Sequence, residues 1–332
     1  MSTKERVLDI LKNNTNIFIS GQEMADRLFV TRASVWKAIK SIEKDGQKIE
    51  AVTNKGYRLI INDVAPSEIL IRKELESISS AYKNADIDIY DVLDSTNDKA
   101  KEFGLELNEK IIIANKQTKG RGRRGRSFYS PEGTGIYLSF LLYPNQSVIK
   151  AISLTCMMAE CVRRSIKEVT DLDTSIKWVN DIYYNDKKIA GILTEGITSI
   201  EDGSLEYVII GVGINLYMPT EGFPKEIKDI ATSLLSSLDD GSIKNKLIAH
   251  IIDNFYKCYK TPSEYPFLED YKNNSFLIGK YVKILTHSSV MLAPSRQYAY
   301  VTGIDDECHL LIRYDDGYEE SLYSGEVSVV KY

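Results

Sequence analysis

The sequence predicts an α+β protein built from three successive parts, and three observations support this prediction. The first 60 residues hold three short amphipathic helical segments followed by two strand-like segments. Between residues 87 and 215, several strands joined by short turns and backed by a few helices favour a mixed sheet over a doubly wound one. After residue 278, short alternating strands separated by Asp/Gly turns predict a small antiparallel barrel. We therefore expect domains at 1–62, 66–275 and 276–332, with a linker at 62–67.

Composition and charge exclude several classes of protein. The 332 residues are 43% hydrophobic and 27% charged. No apolar run approaches the roughly 18 residues that a membrane helix needs, and the charged N-terminus lacks a signal core, so we expect a cytoplasmic protein without a membrane partner. The four scattered cysteines form no C-x-x-C pair, which predicts reduced thiols and argues against zinc. All three histidines occur from residue 250 onward, which excludes a His-based triad from the first 249 residues.

The first part predicts a winged helix-turn-helix. Apolar residues at helical spacing predict two short helices before residue 29, and Thr31 can cap a third helix, Arg32–Lys44. Two strand-like segments then form a hairpin across Asn54 and Lys55, which would be the wing. On the third helix we expect four side chains to face inward: Val35, Trp36, Ile39 and Ile42.

The charge of this first part favours DNA as its partner. Residues 1–60 contain 11 Lys or Arg against 7 Asp or Glu, whereas the remaining residues contain 31 against 40. A basic third helix would enter the major groove while the wing contacts phosphates. A three-helix adaptor with a solvated basic face is the alternative. The candidate DNA-binding residues are Arg32, Ser34, Lys37, Lys40, Lys55 and Arg58.

The central part begins with a strand-to-helix junction that is rich in small polar residues. The strand Ile87–Val92 leads into Asp94-Ser95-Thr96-Asn97, and a helix over 98–105 follows. Such a junction could serve only as a helix N-cap. The next predicted elements are the strand Lys110–Asn115, the strand Ile136–Leu142 and a helix over 149–169.

Between these two later strands lies a loop of three glycines and four arginines, Gly120–Arg126, preceded by Gln117. Glycines allow tight turns with N–H groups close to a ligand, and arginines are planar, permanent donors for phosphate and carboxylate. The run fits G-x-G-x-x-G, but the Pro and Gly residues after it cannot propagate the helix of a dinucleotide site, and no Gly-Lys-Ser/Thr closes a P-loop. The loop therefore predicts an anion lid of another kind, with a solvated basic loop as the alternative.

A second group of polar residues surrounds the segment Ser175–Asp181. Lys177, Asn180 and Asp181 end one strand, and Lys188 lies in the next, beyond a tight turn. Each of these residues alone could be a turn or surface residue. The rest of this part is predicted as a strand ending at Asn215 and helices at 231–238, 243–259 and 263–273.

The biotin protein ligases are the family that these motifs resemble. The motifs are Asp94–Asn97, Gln117 with Gly120–Arg126, and Lys177–Asp181 followed by Lys188-Ile-Ala-Gly-Ile. With the winged helix and an SH3-like C-terminal barrel, the whole chain is similar to the bifunctional bacterial form, which also represses the biotin operon. The resemblance implies biotin contacts from Ser95, Thr96, Asn97, Gln117, Arg121, Gly122, Arg123 and Lys188. It implies ATP contacts from Phe128, Lys177, Asn180 and Asn215, a Mg²⁺ contact from Asp181, and catalytic roles for Arg121, Arg123, Lys177 and Lys188.

The resemblance also implies the reaction and the partners. Biotin and ATP, with Mg²⁺, would give biotinyl-5′-AMP and pyrophosphate, and a lysine of a biotin carboxyl carrier protein would then receive biotin. Biotinyl-5′-AMP would also act as the corepressor of a homodimer on operator DNA. The sequence departs from the family at Val179, where proline is usual, and at Phe128, where tryptophan often packs on adenine. Arg124 and Arg126 are left outside the predicted site.

Three other functions remain open on the sequence. A lipoate or octanoate ligase shares the central architecture, but its acyl pocket needs no ureido partners and its family lacks this loop and the winged helix. A ligand-sensing repressor with an inactive enzyme domain need not retain Lys177, Asp181 and Lys188. A ligase whose winged helix has no operator is the third alternative.

Overall fold

A computed structural model of the chain describes residues 2–14, 17–44, 49–59, 65–144, 151–198, 205–237, 242–264, 266–287 and 296–330. The chain forms two compact units, residues 1–63 and 64–332. The predicted linker at 62–67 lies partly outside the described residues. The predicted boundary at residue 276 falls inside the second unit, and a separate third domain stays a prediction.

Three helices and a hairpin make up the N-terminal unit. The elements are α1 (Thr3–Asn13), α2 (Gly21–Leu28), α3 (Arg32–Lys44), β1 (Ile49–Val52) and β2 (Gly56–Leu59), with the two strands antiparallel. Hydroxyl side chains cap the helices, because the Oγ atoms of Ser2 and Ser20 and the Oγ1 atom of Thr31 each accept a backbone N–H three residues on. These caps satisfy donors that have no partner inside the first turn. The predicted winged helix-turn-helix is confirmed.

The inward assignment of Trp36 is wrong, because its side chain is 52% exposed. Successive helix residues are about 100° apart, so Trp36 lies beside the buried stripe of α3 and not within it. Ala38 occupies the inward position that Trp36 was expected to share. Trp36 instead joins Lys37 and Lys40 on the exposed face. The buried residues of α3 are Val35, Ala38, Ile39 and Ile42.

Gly56 lets the wing lie against the rest of the N-terminal unit. Its φ is +106°, and a Cβ atom there would collide with the backbone carbonyl of Ile19, which pairs with Tyr57. We expect Gly56→Ala to destabilise the N-terminal unit by about 2–3 kcal/mol. Alanine would strain the backbone at this positive φ, and its Cβ would meet a backbone carbonyl, which cannot rotate away as a side chain could. Calorimetry would show a lower melting transition for this unit and an unchanged transition for residues 64–332. An unchanged first transition would contradict the expectation.

The second unit contains a seven-stranded mixed sheet. Its strands are β3 (Ile87–Leu93), β4 (Lys110–Gln117), β5 (Gly135–Leu142), β6 (Ser175–Lys177), β7 (Asp181–Tyr184), β8 (Lys187–Thr198) and β9 (Leu205–Asn215). The order across the sheet is β3-β4-β5-β9-β8-β7-β6. Strands β3 and β4 pair in parallel, and each of the other neighbouring pairs is antiparallel. The predicted mixed sheet is therefore confirmed.

Helices pack on both faces of this sheet. They are α4 (Glu68–Ser77), α5 (Thr96–Glu102), α6 (Ala151–Thr170), α7 (Ser242–Lys260) and α8 (Leu268–Asn273). Ala100 of α5 packs with Ile112 of β4, whereas the neighbouring Ile111 packs in the core that contains α6 and α7. The ring of Phe140 on β5 lies 4.8 Å from that of Phe255 on α7. Ile111 and Ile112 contact different layers of helices because successive side chains of a strand point to opposite faces of the sheet.

The helix expected at 231–238 is wrong for its described residues, 231–237, which form isolated bridges to β8 and to the residues after β9 instead. Thr232 N–H donates to the carbonyl of Lys188 at 2.9 Å, and Leu235 N–H donates to that of Leu216 at 2.8 Å. Because these backbone groups pair with β8 and with the residues after β9, they are not available for helical hydrogen bonds. The segment thereby fixes the backbone of β8 at Lys188.

A five-stranded antiparallel sheet forms the C-terminal part. Its strands are β10 (Tyr281–His287), β11 (Tyr298–Ile304), β12 (Leu310–Arg313), β13 (Glu319–Leu322) and β14 (Gly325–Val329), in the order β13-β12-β11-β10-β14. Closure into the predicted SH3-like barrel stays a prediction, since β13 and β14 do not pair with each other among the described residues. This sheet is joined to the central one by a shared core and by Trp178, whose Nε1–H donates to the carbonyl of Cys308 at 2.9 Å.

Two further expectations concern membranes and thiols. Within the ranges that the structure describes, no helix combines the length and the apolar character needed to cross a bilayer. The four cysteines are all free and buried.

Candidate active site

Two adjoining spaces lie on the second unit. The large cavity, of about 380 Å³, is bounded by the loop 120–126, by β6 to β8 and by β14 of the C-terminal sheet. The polar cleft is lined by Ser95, Thr96, Asn97 and Gln117, and it shares Arg121 and Phe128 with the large cavity. The fold therefore brings all the residues proposed for biotin and ATP into one continuous region.

Amide and hydroxyl groups of the polar cleft hold one another in place. Ser95 caps α5 as predicted, with its Oγ accepting from Asp98 N–H at 3.4 Å. Gln117 Oε1 accepts from the backbone N–H of Thr96 at 2.8 Å and from its hydroxyl at 3.2 Å. Ser139 Oγ on β5 lies 2.7 Å from both Thr96 Oγ1 and Asn97 Oδ1. Because Ser95, Thr96, Asn97 and Ser139 are buried, their polar atoms depend on these partners or on a ligand.

The polar cleft is narrow in this structure. Gly211 allows β9 to lie directly against Asn97, whose amide oxygen a Cβ atom there would strike. The free volume is about 20 Å³, whereas a single water needs roughly 10–15 Å³ of the same measure. A ligand with a ring system must therefore displace side chains or the loop above them.

The loop folds back on itself across the large cavity. Gly122 N–H donates to the carbonyl of Arg126 at 2.7 Å, and the turn between them contains Arg124 at φ +58°. Arg121 Nη1 lies 2.6 Å from Asp98 Oδ1 on α5, and Arg123 Nη1 donates to Asn180 Oδ1 at 3.1 Å. Burial lowers the pKa of the Arg123 guanidinium from its ordinary value. The loop is thus attached to both the polar cleft and the large cavity, which a solvated basic loop would not be.

Two lysines bring positive charge to the floor of the large cavity. Lys188 Nζ on β8 lies 2.6 Å from Asp181 Oδ1 on β7, and its side chain passes over Gly191. Burial lowers the pKa of Lys177, and the nearby Asp181 carboxylate opposes that shift. The predicted residues Lys177, Asp181 and Lys188 therefore meet at one point.

Phe128 and Asn215 lie where β9 borders the large cavity. The Phe128 ring packs on Gly213, where a Cβ atom would approach Cε1 to 2.6 Å. Asn215 ends β9, and its Nδ2–H donates to the carbonyl of Thr232 at 3.2 Å. Both residues line the large cavity, so an aromatic face and an amide are available in the same space.

The acidic side chains of the large cavity are Asp181 and Glu326. Across the described ranges no group of three or more His, Cys, Asp or Glu side chains could hold a metal. The two carboxylates of the large cavity, Asp181 and Glu326, do not fit a metal that is held by protein ligands alone. They fit Mg²⁺, which is commonly bound through one or two carboxylates together with substrate phosphates.

The candidate DNA-binding residues differ in what they contact. Arg32 and Lys37 are exposed on α3, and Lys55 is exposed in the turn of the wing. The hydroxyl of Ser34 lies 2.9 Å from that of Thr31. Lys40 pairs with Glu43 at 2.7 Å, and Arg58 pairs with Glu50 at 2.6 Å while stacking on Phe18. Lys55 Nζ also lies over the Phe18 ring, 5.8 Å from its centroid. Arg32 and Lys37 are therefore the best-placed cations.

Several residues of the region have no signal in the sequence. Glu195 on β8 accepts from Asn97 Nδ2–H at 2.7 Å and lies 3.4 Å from Arg121 Nη1. Ser139 reaches the polar cleft from a strand that otherwise looks like core. Glu326 reaches the large cavity from β14, far along the chain from the motifs. Tertiary packing alone brings these three side chains to the site.

Comparison with protein families gives three matches along the chain. Residues 89–215 match the biotin/lipoate A/B protein ligase family, residues 3–58 match a helix-turn-helix domain, and residues 298–330 match the biotin protein ligase C-terminal domain. The order of these matches is the order of the three predicted parts.

Individual relatives extend the likeness to the whole chain. A bifunctional ligase/repressor of Bacillus subtilis is 34% identical over 331 residues, covering 98% of each chain, and that of Escherichia coli is 28% identical over 319 residues, covering 94% of this chain and 93% of the other. The solved biotin protein ligase of Aquifex aeolicus, in complex with biotin and ATP, superposes with a TM-score of 0.58 at 27% identity, covering 74% of this chain and 99% of that one. On this evidence the chain belongs to the biotin protein ligase family, in the bifunctional form that carries an N-terminal helix-turn-helix repressor domain.

Proposed function

We propose that the polar cleft binds the ureido ring of biotin and that the large cavity binds ATP, so that biotinyl-5′-AMP forms where the two spaces meet. The observation that carries this proposal is the continuity of a buried amide and hydroxyl cleft with a cationic cavity through Arg121 and Phe128. A ureido group has two N–H donors and one carbonyl acceptor. The mixed donors and acceptors of Thr96, Asn97 and Gln117 complement it.

Catalysis of the first step rests on position and charge. A carboxylate oxygen of biotin attacks the α-phosphorus of ATP, and the bond from that phosphorus to the pyrophosphate leaving group breaks. Arg121, Arg123, Lys177 and Lys188 hold the anions together and stabilise charge on the phosphoryl oxygens. No protein base is needed, because the biotin carboxylate is already ionised. Mg²⁺, when bound through Asp181 and the phosphates, would neutralise part of the pyrophosphate charge.

The nucleotide contacts follow from the rest of the cavity. Phe128 presents its ring for stacking on adenine, and Asn180 and Asn215 offer amides on the same side. Gly122 allows the loop backbone to come close to the ligand. Because the cleft is narrow, the loop opens for biotin and closes over the adenylate.

In the second step the ε-amino group of a lysine on a biotin carboxyl carrier protein attacks the acyl carbon of biotinyl-5′-AMP. An amide bond forms, the mixed anhydride bond breaks and AMP leaves. We place both steps in the cytoplasm, where the carrier domains of carboxylases are acceptors.

Two measurements test the ligase proposal. Incubation with biotin, Mg-ATP and a carrier domain should add the mass of one biotinyl group to the acceptor lysine. Isotopic pyrophosphate exchange should depend on biotin and not on lipoate or octanoate. Exchange with lipoate alone would favour the alternative acyl ligase, and no exchange with any acid would favour a repressor with an inactive enzyme domain.

The repressor function is proposed to depend on the same ligand. Biotinyl-5′-AMP would order the loops, complete a homodimer and place two winged helices on a palindromic operator. The exposed basic face of α3 supports this proposal. Gel-shift titration of operator DNA with and without biotin and ATP tests it. Binding that is absent in both conditions would leave a ligase without an operator.

Lys37→Ala is expected to weaken DNA binding at all sequences and to reduce the slope of log K against log salt by about 1, because one phosphate contact is lost. Lys246→Ala, which removes an exposed lysine of α7 in the other unit, is the matched control. Equal salt slopes for Lys37→Ala and the parent protein would exclude a phosphate contact from Lys37.

A further inference from the structure

An ion pair connects the arginine loop to the C-terminal sheet. The two Nη atoms of Arg126 lie 2.9 and 2.8 Å from the two carboxylate oxygens of Glu326, so the contact is bidentate. Such parallel pairing fixes direction as well as distance. The pair joins residues 200 positions apart in the chain.

Each partner belongs to a well-anchored element. The carbonyl of Arg126 accepts from Gly122 N–H, so its backbone closes the turn of the loop. Glu326 on β14 pairs with Thr286 on β10. The C-terminal sheet is in turn held to the central sheet through Trp178 and Cys308. Movement of the loop away from the cavity must therefore break this pair.

Without a neutralising cation, the negative charge of Glu326 would disfavour binding of the proposed ligand. A carboxylate that lines a cavity for ATP repels phosphates unless a cation neutralises it. Here the hydrogen bond from Arg126 lowers the pKa of Glu326 from its ordinary value, and the same bond raises that of Arg126. Burial lowers the pKa of Lys177 and of Arg123 and the charge of Glu326 raises it, but Arg126 is the cation that is hydrogen-bonded to both oxygens of this carboxylate. Arg126 therefore has a different task.

We propose that Arg126 and Glu326 form a latch that holds the arginine loop closed over the adenylate. The two are positioning residues: they act by keeping Arg121 and Arg123 over the ligand, and the proposal rests on the adenylate-forming function proposed above. The C-terminal sheet thereby controls how long the activated intermediate is retained.

The test measures the dissociation rate of purified biotinyl-5′-AMP from the full-length protein. Arg126→Gln and Glu326→Gln should each accelerate dissociation by about fivefold, the order expected for a partly exposed bidentate pair. The double variant should be no faster than either single variant, because both remove the same contact. Exchanging the charges, Arg126→Glu with Glu326→Arg, should restore most of the retention. Arg296→Gln breaks another exposed ion pair of the same sheet and should leave the rate unchanged.

The outcomes separate the latch from the proposed function. If biotinyl-5′-AMP does not form from biotin and ATP, the proposed function fails. Suppose that biotinyl-5′-AMP forms, that the double variant loses it faster than either single variant, and that charge exchange does not restore retention. Arg126 then acts on the phosphates directly and the latch is wrong. Unchanged rates in both single variants also overturn it. Thermal melts of each variant show whether a faster rate comes from a damaged fold, which the charge-exchanged variant would then fail to repair.

Discussion

Lys188→Gln is expected to lower kcat/KM for biotin-dependent pyrophosphate exchange by about 10²–10³-fold, the usual effect of removing one preorganised group that stabilises a developing oxyanion. Lys188 Nζ lies at the floor of the large cavity, 2.6 Å from Asp181. Its backbone is fixed on one side by β7 and on the other by hydrogen bonds with the backbone of Ile230 and Thr232. The charge is therefore held in position before ATP binds, and glutamine keeps similar length without that charge.

The adjacent lysine provides a matched control. Lys187 is one residue earlier on β8 and points the other way, with Nζ donating to the carbonyl of Lys228 at 3.2 Å. Lys187→Gln should leave exchange within about twofold of the parent protein, since an exposed polar contact contributes little. Lys188→Arg should recover part of the activity, because it keeps the positive charge with a different geometry. Comparable losses in Lys187→Gln and Lys188→Gln would show that charge near β8, and not Lys188 itself, supports the reaction.

Periodicity was sufficient to predict most of the architecture. The apolar spacing of α3 and the position of Thr31 indicate its first residue, and the run of isoleucines at 111–113 indicates a strand buried on both faces. Short turns between strands predict the antiparallel part of the sheet. These signals are local, so they can be interpreted without knowledge of the tertiary fold.

One error came from local periodicity and another from distant partners. Trp36 lies about 100° around α3 from Val35 and outside the i, i+3, i+4, i+7 stripe that is buried, so strict application of the helical period would have left it exposed. The sequence at 231–237 has helix-forming residues, but its backbone finds partners on β8 and after β9. Arg124 and Arg126, which were left outside the predicted site, both line the large cavity, and Arg126 pairs there with Glu326 of a remote strand.

The predicted site residues cluster, although their roles were inferred only through a family resemblance. Ser95, Thr96 and Asn97 are consecutive, and a helix N-cap alone would explain the first of them. Burial of all three, together with contacts to Ser139, Gln117 and Glu195, exceeds what an N-cap requires. This surplus of buried polar groups is physical support for a ligand at the junction.

Arg123→Gly is expected to accelerate release of biotinyl-5′-AMP by about tenfold to a hundredfold, because two restraints are lost at once. The side chain joins the loop to Asn180, with Nη1 donating to Oδ1 at 3.1 Å, and it is partly buried there. Its removal deletes a desolvated cation beside the proposed phosphate position, where charge interacts strongly. Glycine also frees the backbone of a loop that must stay closed.

The expected consequence is indiscriminate acylation. Released biotinyl-5′-AMP is a mixed anhydride that any exposed lysine can attack, so bystander proteins in the reaction should acquire biotin. Streptavidin blots of an added non-acceptor protein, together with a filter assay of adenylate retention, measure both effects. Arg124→Gly is the control, since Arg124 is exposed on the same loop at φ +58°, a conformation that glycine adopts without strain. Retention that is equally reduced in both variants would mean that overall loop charge holds the adenylate, whereas loss confined to Arg123→Gly would assign this role to Arg123 itself.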